Sequence, residues 1–400
     1  MINPSASGWI DKFFTKLKLS EQNIPETEAS FYQKLRSTGF IYGHIISIDT
    51  PFEIQTKDWF NEEISKVALL NALYGIFSLI NTNKDPLEFV DRANLFYKEM
   101  HPGGFSLFKK IVSKNTPSLT LEKIIDERVQ TNDNIINKNF SHLVTNALLF
   151  IDVLAFRQYL IQGHIPEKYL KKIEETIVNI VILALKIKNN KSQYDDLLIK
   201  LFEASIRYSK FSKKKNITLE TLGLDYFNAE LEKKYLIDIA GMALWSDGIM
   251  DNNESYFLHT LANTLLIEDE FVTQGILNTN TFISRYKKEI PYFNYSNPVK
   301  HFYDQTTKSV ITLISRNKSR LIKEIIGSKD LMLLLAHSTH RDLDEKEKKK
   351  VKKQLLDICK TIPSLTIFLL PGGSLLLPIL IKFIPTLLPS AFNENLEQDD

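Results

Sequence analysis

Three carboxylates, Asp247, Asp251 and Glu254, stand within eight residues of one another beside Gly248. Clustered oxygens suit a hard divalent cation. The same residues also suit a helix–turn–helix joint. Glycine ends a helix in the left-handed conformation, and Asp251 with Glu254 three positions on makes a capping box for the next helix. Capping is the preferred reading and a divalent-cation site the alternative. No loop of the form D-x-[DN]-x-[DN]-G with a closing Glu occurs. His337 and His340 are spaced like a metal pair, but no motif of Cys, His or paired carboxylates completes them, so they read as surface histidines. His101 lies in a turn beside Gly103 and Gly104 with nothing to recruit it. The phosphate-loop, dinucleotide, nucleophile-elbow and zinc-protease motifs are all missing. We therefore expect no catalytic residues, no small-molecule substrate, no obligatory cofactor and no enzyme.

A second kind of chemistry is ionic. Along 343–362, Val351, Leu355, Ile358 and Ile362 recur at helical spacing. Lys346, Lys349, Lys353 and Lys360 fall within a ~60° arc on the opposite side of that helix. Asp344 and Glu347 supply a capping box at its start. Arg316, Lys318, Arg320 and Lys323 sit on a preceding helix expected over 299–326, which also carries Lys308. Residues 299–360 hold 15 basic and 8 acidic residues, a net +7, whereas the rest of the chain has 35 against 40, a net −5. Such asymmetry points to an anionic partner. Ribosomal RNA needs only phosphate contacts of this kind, and anionic lipid headgroups are met by the same lysines. A solvated helix face is the bland alternative.

The elements that must position these groups are helical. Hydrophobic content of 44% with 24% charge is ordinary for a folded globular chain, and 400 residues allow a large core. Helical periods dominate, so the fold class is all-α, a multi-helix bundle or array. Two short helices are expected within 6–40, broken at Asn23 to Pro25, and a longer one follows at 58–80. Turns at 81–86 and 101–104 precede helices at 137–162 and 166–187. The apolar run Ile177 to Leu185 is too short to span a membrane and reads as a buried core helix. Helices 231–246 and 252–266 flank the carboxylate turn. Leu231, Tyr235, Ile239 and Met242 face one way on the first, and Phe257, Leu258, Leu261 and Leu265 on the second. A single cysteine, Cys359, excludes a disulfide framework and reads as a buried, inert thiol. The first residues lack a basic start followed by an apolar core, so no signal peptide is expected.

The most unusual stretch follows the basic helix. Thr361 to Ile381 contains 21 uncharged residues, which as one helix would reach about 30 Å, the thickness of a bilayer core. With its continuation it carries Pro363, Pro371, Gly372, Gly373, Pro378, Pro385 and Pro389, five of the chain's 14 prolines. Interior prolines cost about 3 kcal/mol each in a water-exposed helix, so a simple soluble helix is disfavoured. Spanning, a hairpin at Pro371 to Gly373, and burial within the protein remain the readings.

The succession of a basic helix, Ile362 and Pro363, an apolar run, Pro371, Leu375 to Pro378, Lys382 to Pro385 and Leu387 to Phe392 resembles the LETM family, leucine-zipper/EF-hand transmembrane proteins whose domain is described as ribosome-binding. The match covers roughly 297–392. Gly372 and Gly373 depart from the bulky residues of the family's membrane helix. The turn Asp247, Gly248 … Glu254 is similar to that of the TerB-like helical family, whose domains are associated with metal. The combination resembles bacterial LETM-related, biofilm-associated proteins.

The expected organisation is an N-terminal helical segment (1–57), a helical domain (58–290) including the TerB-like hairpin (231–280), a LETM-like region (297–392) and an acidic tail (393–400). The resemblance implies a non-enzymatic protein that binds ribosomes through RNA or ribosomal protein. It would sit in the cytoplasm, associated with or anchored in the inner membrane. A membrane component in cation or proton exchange is the alternative, as is a soluble TerB-like metal-sensing scaffold. Against exchange, the uncharged stretch offers no ionisable group.

Overall fold

Apolar residues recurring every three to four positions fold into thirteen α-helices among the described residues, which contain no strand. The structure, a computed structural model, describes residues 2–20, 27–56, 59–100, 116–135, 140–188, 199, 218–244, 250–286, 310–311, 314–315, 317–362, 365, 381 and 384. The protein is all-α, as its periodicity predicts.

In chain order, α1 is Trp9–Leu19, α2 Glu28–Ser37, α3 Asn61–Ile80, α4 Pro86–Met100, α5 Pro117–Ile135 and α6 Phe140–Gln162. Next come α7 at Tyr169–Ile187, two short 3-10 turns, α8 at Glu230–Leu244, α9 at Asn252–Leu265 and α10 at Asp269–Tyr286. The chain then builds α11, Lys318–Ile326, α12, Lys329–His340, and α13, Glu345–Thr361. The periodic reading does not mark α4, α5 or α10. In α5 the inward face carries buried Glu122 and Arg128 among the apolar Leu121, Ile124, Ile125 and Val129, so charges interrupt its core stripe.

Those buried charges tie distant elements together. The Glu122 carboxylate accepts the backbone N–H groups of Gly8 and Ile10 at 3.0 Å each, placing negative charge at the N-terminus of α1. Arg128 holds Asp152 of α6 through Nε at 2.8 Å and Nη2 at 3.0 Å, and the Tyr97 hydroxyl of α4 donates to the same carboxylate at 3.1 Å. Burial first, then the adjacent Asp152, raises the Tyr97 phenol, so it stays a donor. Arg36 of α2 reaches Asp238 of α8 at 3.0 Å and lies 4.6 Å from the Phe271 ring centroid of α10. Tyr32 donates to Asp238 at 2.6 Å.

Helix α3 packs against α5 and α6, with Val67, Leu69, Leu70, Leu73, Ile76 and Phe77 fully buried. Among the described residues it is the one helix long and apolar enough to cross a membrane, but its apolar surface lies inside the protein. It is a core helix.

Two apolar cores result. The larger unites residues from Ile2 to Ile283, and the smaller gathers Val310, Ile314 and the apolar faces of α11 to α13 with Leu365, Ile381 and Ile384. Helix α7 belongs to both. Ile173, Ile177, Ile180 and Ala184 enter the larger core, while Val178, Ile182 and Leu185 enter the smaller. At about 100° per residue these two stripes lie roughly 130° apart around the axis, with Val181 between them. The apolar run expected to be a buried core helix is one, because both of its faces are covered.

Candidate functional site

Helices α11, α12 and α13 pack on one another, and their inward residues fix which side chains face out. On α13 the buried stripe is Val351, Leu355, Ile358 and Cys359, continued by Ile362. Its start is fixed by Asp344, whose carboxylate accepts the N–H groups of Lys346 at 2.7 Å and Glu347 at 2.8 Å. Glu347 returns the bond to the Asp344 N–H at 2.8 Å, closing the capping box. Arg341 grips Glu347 with two bonds of 2.7 and 2.8 Å, tying the end of α12 to the start of α13. Those bonds, with the Asp344 N–H second, draw the Glu347 carboxyl down to about 2.

Opposite the buried stripe, Lys346, Lys353 and Lys360 are exposed and Lys349 is half-exposed. Their state differs, however. Lys360 is bonded to Asp357 at 2.7 Å, one turn back, so it is a paired cation. Lys350 is held by Asp330 of α12, and Lys348 lies 4.0 Å from Glu345. No ion pair engages Lys346, Lys349 or Lys353 among the described residues. Lys352 faces the other way, half-buried against Lys171, Glu174 and Glu175 of α7. Burial, then Lys171, pulls its ammonium below the usual lysine range.

On α11, Leu321 and Ile325 are buried and Lys318, Arg320 and Lys323 are exposed. Lys329, which opens α12, is an exposed cation that the sequence reading passed over, because it stands alone before an apolar run. Arg316 and Lys308 lie outside the described residues, as do Pro363, Pro371, Gly372, Gly373, Pro378, Pro385 and Pro389. Cys359 is buried, and burial pushes its thiol up to about 12, as fits an inert thiol. His337 is exposed beside Arg341, with 3.5 Å between Nδ1 and the guanidinium.

The carboxylate turn is placed in part. Helices α8 and α9 pack on each other and on α7. Leu231 and Tyr235 of α8 are buried, but Ile239 and Met242 are only half-buried, since the inward stripe runs instead through Leu236, Ala240 and Leu244. Phe257, Leu258, Leu261 and Leu265 of α9 are buried. Asp251 accepts the N–H groups of Asn253 at 2.8 Å and Glu254 at 2.9 Å, and Glu254 accepts that of Asp251 at 2.9 Å. This is the capping box in full. Asp247 and Gly248 lie outside the described residues, and no group of three metal-ligating side chains occurs among the described ones. Replacing Asp251 by Ala should cost about 1 kcal/mol through the lost cap. Calcium, magnesium or zinc should leave the melting temperature of the wild-type chain unchanged. A metal-dependent rise that disappears in Asp247→Ala would instead establish a cation site.

What this arrangement can do is bind polyanions. A set of cations projects from α11 and α13, and three of the neighbouring acids, Asp330, Glu347 and Asp357, are already neutralised by Lys350, Arg341 and Lys360. No curated protein and no solved structure matches the chain. One family model does match, that described as "LETM1-like, RBD", and it covers residues 343–400, so the segment that begins with this capped lysine helix is similar to LETM1-like domains.

Proposed function

We propose that the C-terminal region binds the ribosome, with the outward face of α13 on ribosomal RNA. The observation that carries this is the match of 343–400 to the LETM1-like RBD family, falling where Lys346, Lys349 and Lys353 stand exposed or half-exposed with no acidic partner among the described residues. The protein acts by binding and not by catalysis. We place it in the cytoplasm, with the uncharged 361–381 stretch against the inner membrane, a reading supported by the length of that stretch. The 231–280 unit is assigned an interaction role, with Asp251 and Glu254 serving as a helix cap.

The test is cosedimentation with purified ribosomes across a salt series. Lysine–phosphate contacts release counterions, so the pelleted fraction should fall steeply as salt rises. The triple variant Lys346→Glu, Lys349→Glu, Lys353→Glu should stay in the supernatant while keeping wild-type helical circular dichroism, because none of the three enters the buried stripe. A folded variant that pellets with unchanged salt sensitivity would refute α13 as the contact.

A further inference from the structure

Between Asn317 and Ile362 the chain contains no Phe, Tyr or Trp, although aromatic residues make up 11% of the whole. Surfaces that hold single-stranded nucleic acid stack bases on aromatic side chains, and those that read RNA sequence do so on unstacked bases. The three-helix unit of α11 to α13 has no Phe, Tyr or Trp to serve as such a platform. It has charge instead, and pairing divides that charge unequally. Lys318, Arg320 and Lys323 project from α11, and Lys346, Lys349 and Lys353 from α13, with no ion pair to any of the six among the described residues. The lysines at 348, 350 and 360 are spent on Glu345, Asp330 and Asp357. Lys352 is turned onto α7. Helix α11 packs directly on α13, which brings both sets of cations onto one three-helix unit.

We infer that these two helices form one surface for the phosphate backbone of helical RNA, bound by shape and charge and without regard to base sequence. The inference rests on the ribosome-binding reading and names the partner within it. Double-helical RNA is recognised chiefly through phosphates and 2′-hydroxyls, which demands cations at fixed positions and no aromatic shelf. The six cations that have no ion pair among the described residues set the expected strength of the electrostatic contribution. With a slope of about −0.9 per phosphate, log affinity should fall against log salt with a slope of about −5.

The experiment uses the full-length chain and a labelled RNA hairpin of about 16 base pairs, the span of a typical double-stranded-RNA module. Single strands of equal length and hairpins of shuffled sequence serve as competitors. The hairpin should bind in preference to the single strand, and shuffling should change nothing. Neutralising either triplet, Lys318→Gln with Arg320→Gln and Lys323→Gln, or Lys346→Gln with Lys349→Gln and Lys353→Gln, should flatten the slope by about 3. Lys350→Gln with Lys360→Gln should leave it unchanged. A preference for single strands, a dependence on sequence, or a slope altered as much by the paired lysines as by the unpaired ones would overturn the inference. If hairpins bind as described but ribosomes do not pellet the chain, the surface stands and the ribosome assignment falls. If ribosomes pellet it while hairpins fail to bind, the contact is a ribosomal protein and this inference falls.

Discussion

Asp152→Ala is expected to destabilise the protein by about 3–5 kcal/mol, the cost of breaking a buried charge pair by removing one member. Arg128 and Asp152 are both fully buried, and the carboxylate takes two guanidinium bonds and the Tyr97 hydroxyl. Removing it takes both Asp152 hydrogen bonds from a fully buried guanidinium and the carboxylate acceptor from the Tyr97 hydroxyl. Arginine keeps its proton, so Arg128 stays charged, and burial raises the Tyr97 phenol, so it stays a donor. The pairing is fuller than at Arg36–Asp238, where the buried Arg36 Nε finds no hydrogen-bond acceptor. The measurement is the urea midpoint followed by circular dichroism, with the slope checked for constancy. The double variant Arg128→Met, Asp152→Leu tests the cause. Well-packed apolar replacement of a buried pair is commonly neutral or stabilising, so it should recover most of the loss. If Asp152→Ala stays within about 1 kcal/mol of wild type, the pair is not a keystone of the α4–α5–α6 packing.

Much of this fold could be read from the chain because helices announce themselves locally. The capping box at Asp344 and Glu347, the one at Asp251 and Glu254, and the lysine arc opposite Val351 and Leu355 all depend on spacings of a few residues. What escaped is long-range or paired. Glu122 meets Gly8 across 114 positions and Arg36 meets Asp238 across 202, and no periodicity encodes either partnership. Buried Arg128 and Glu122 interrupt the apolar stripe of α5, and their partners too lie far away in sequence. The lysine face was legible as a face but not as a set of free and paired charges. That Lys360 is taken by Asp357 follows from a side-chain rotamer choice, and that Lys352 turns inward follows from where α7 lies. On α7 itself, the unbroken apolar run showed that the helix is buried but not that it is divided between two cores.

That division makes the last expected result specific in place. Ile182→Ala should loosen the C-terminal helices without loosening the rest. Ile182 is fully buried and belongs to the smaller core, alongside Val351, Leu355 and Cys359, whereas Ile180, two residues before it, belongs to the larger. Truncating a buried isoleucine costs about 2–5 kcal/mol, the lost transfer energy plus the cavity left behind. The cavity opens where α7 completes the core of α11 to α13, which already contains a half-buried charge at Lys352 and has far fewer apolar members. Local stability should therefore fall there first. Hydrogen exchange is the measurement. Amides of 345–361 should lose protection in Ile182→Ala, by about 30-fold or more at 2 kcal/mol, while those of 61–80 hold wild-type rates. Ile180→Ala serves as the contrast, since its cavity lies in the larger core and should loosen 61–80 as well. Equal loss of protection in both regions for Ile182→Ala would mean that the two cores unfold as one unit, and that α7 joins them too tightly for the lysine-bearing helices to move alone.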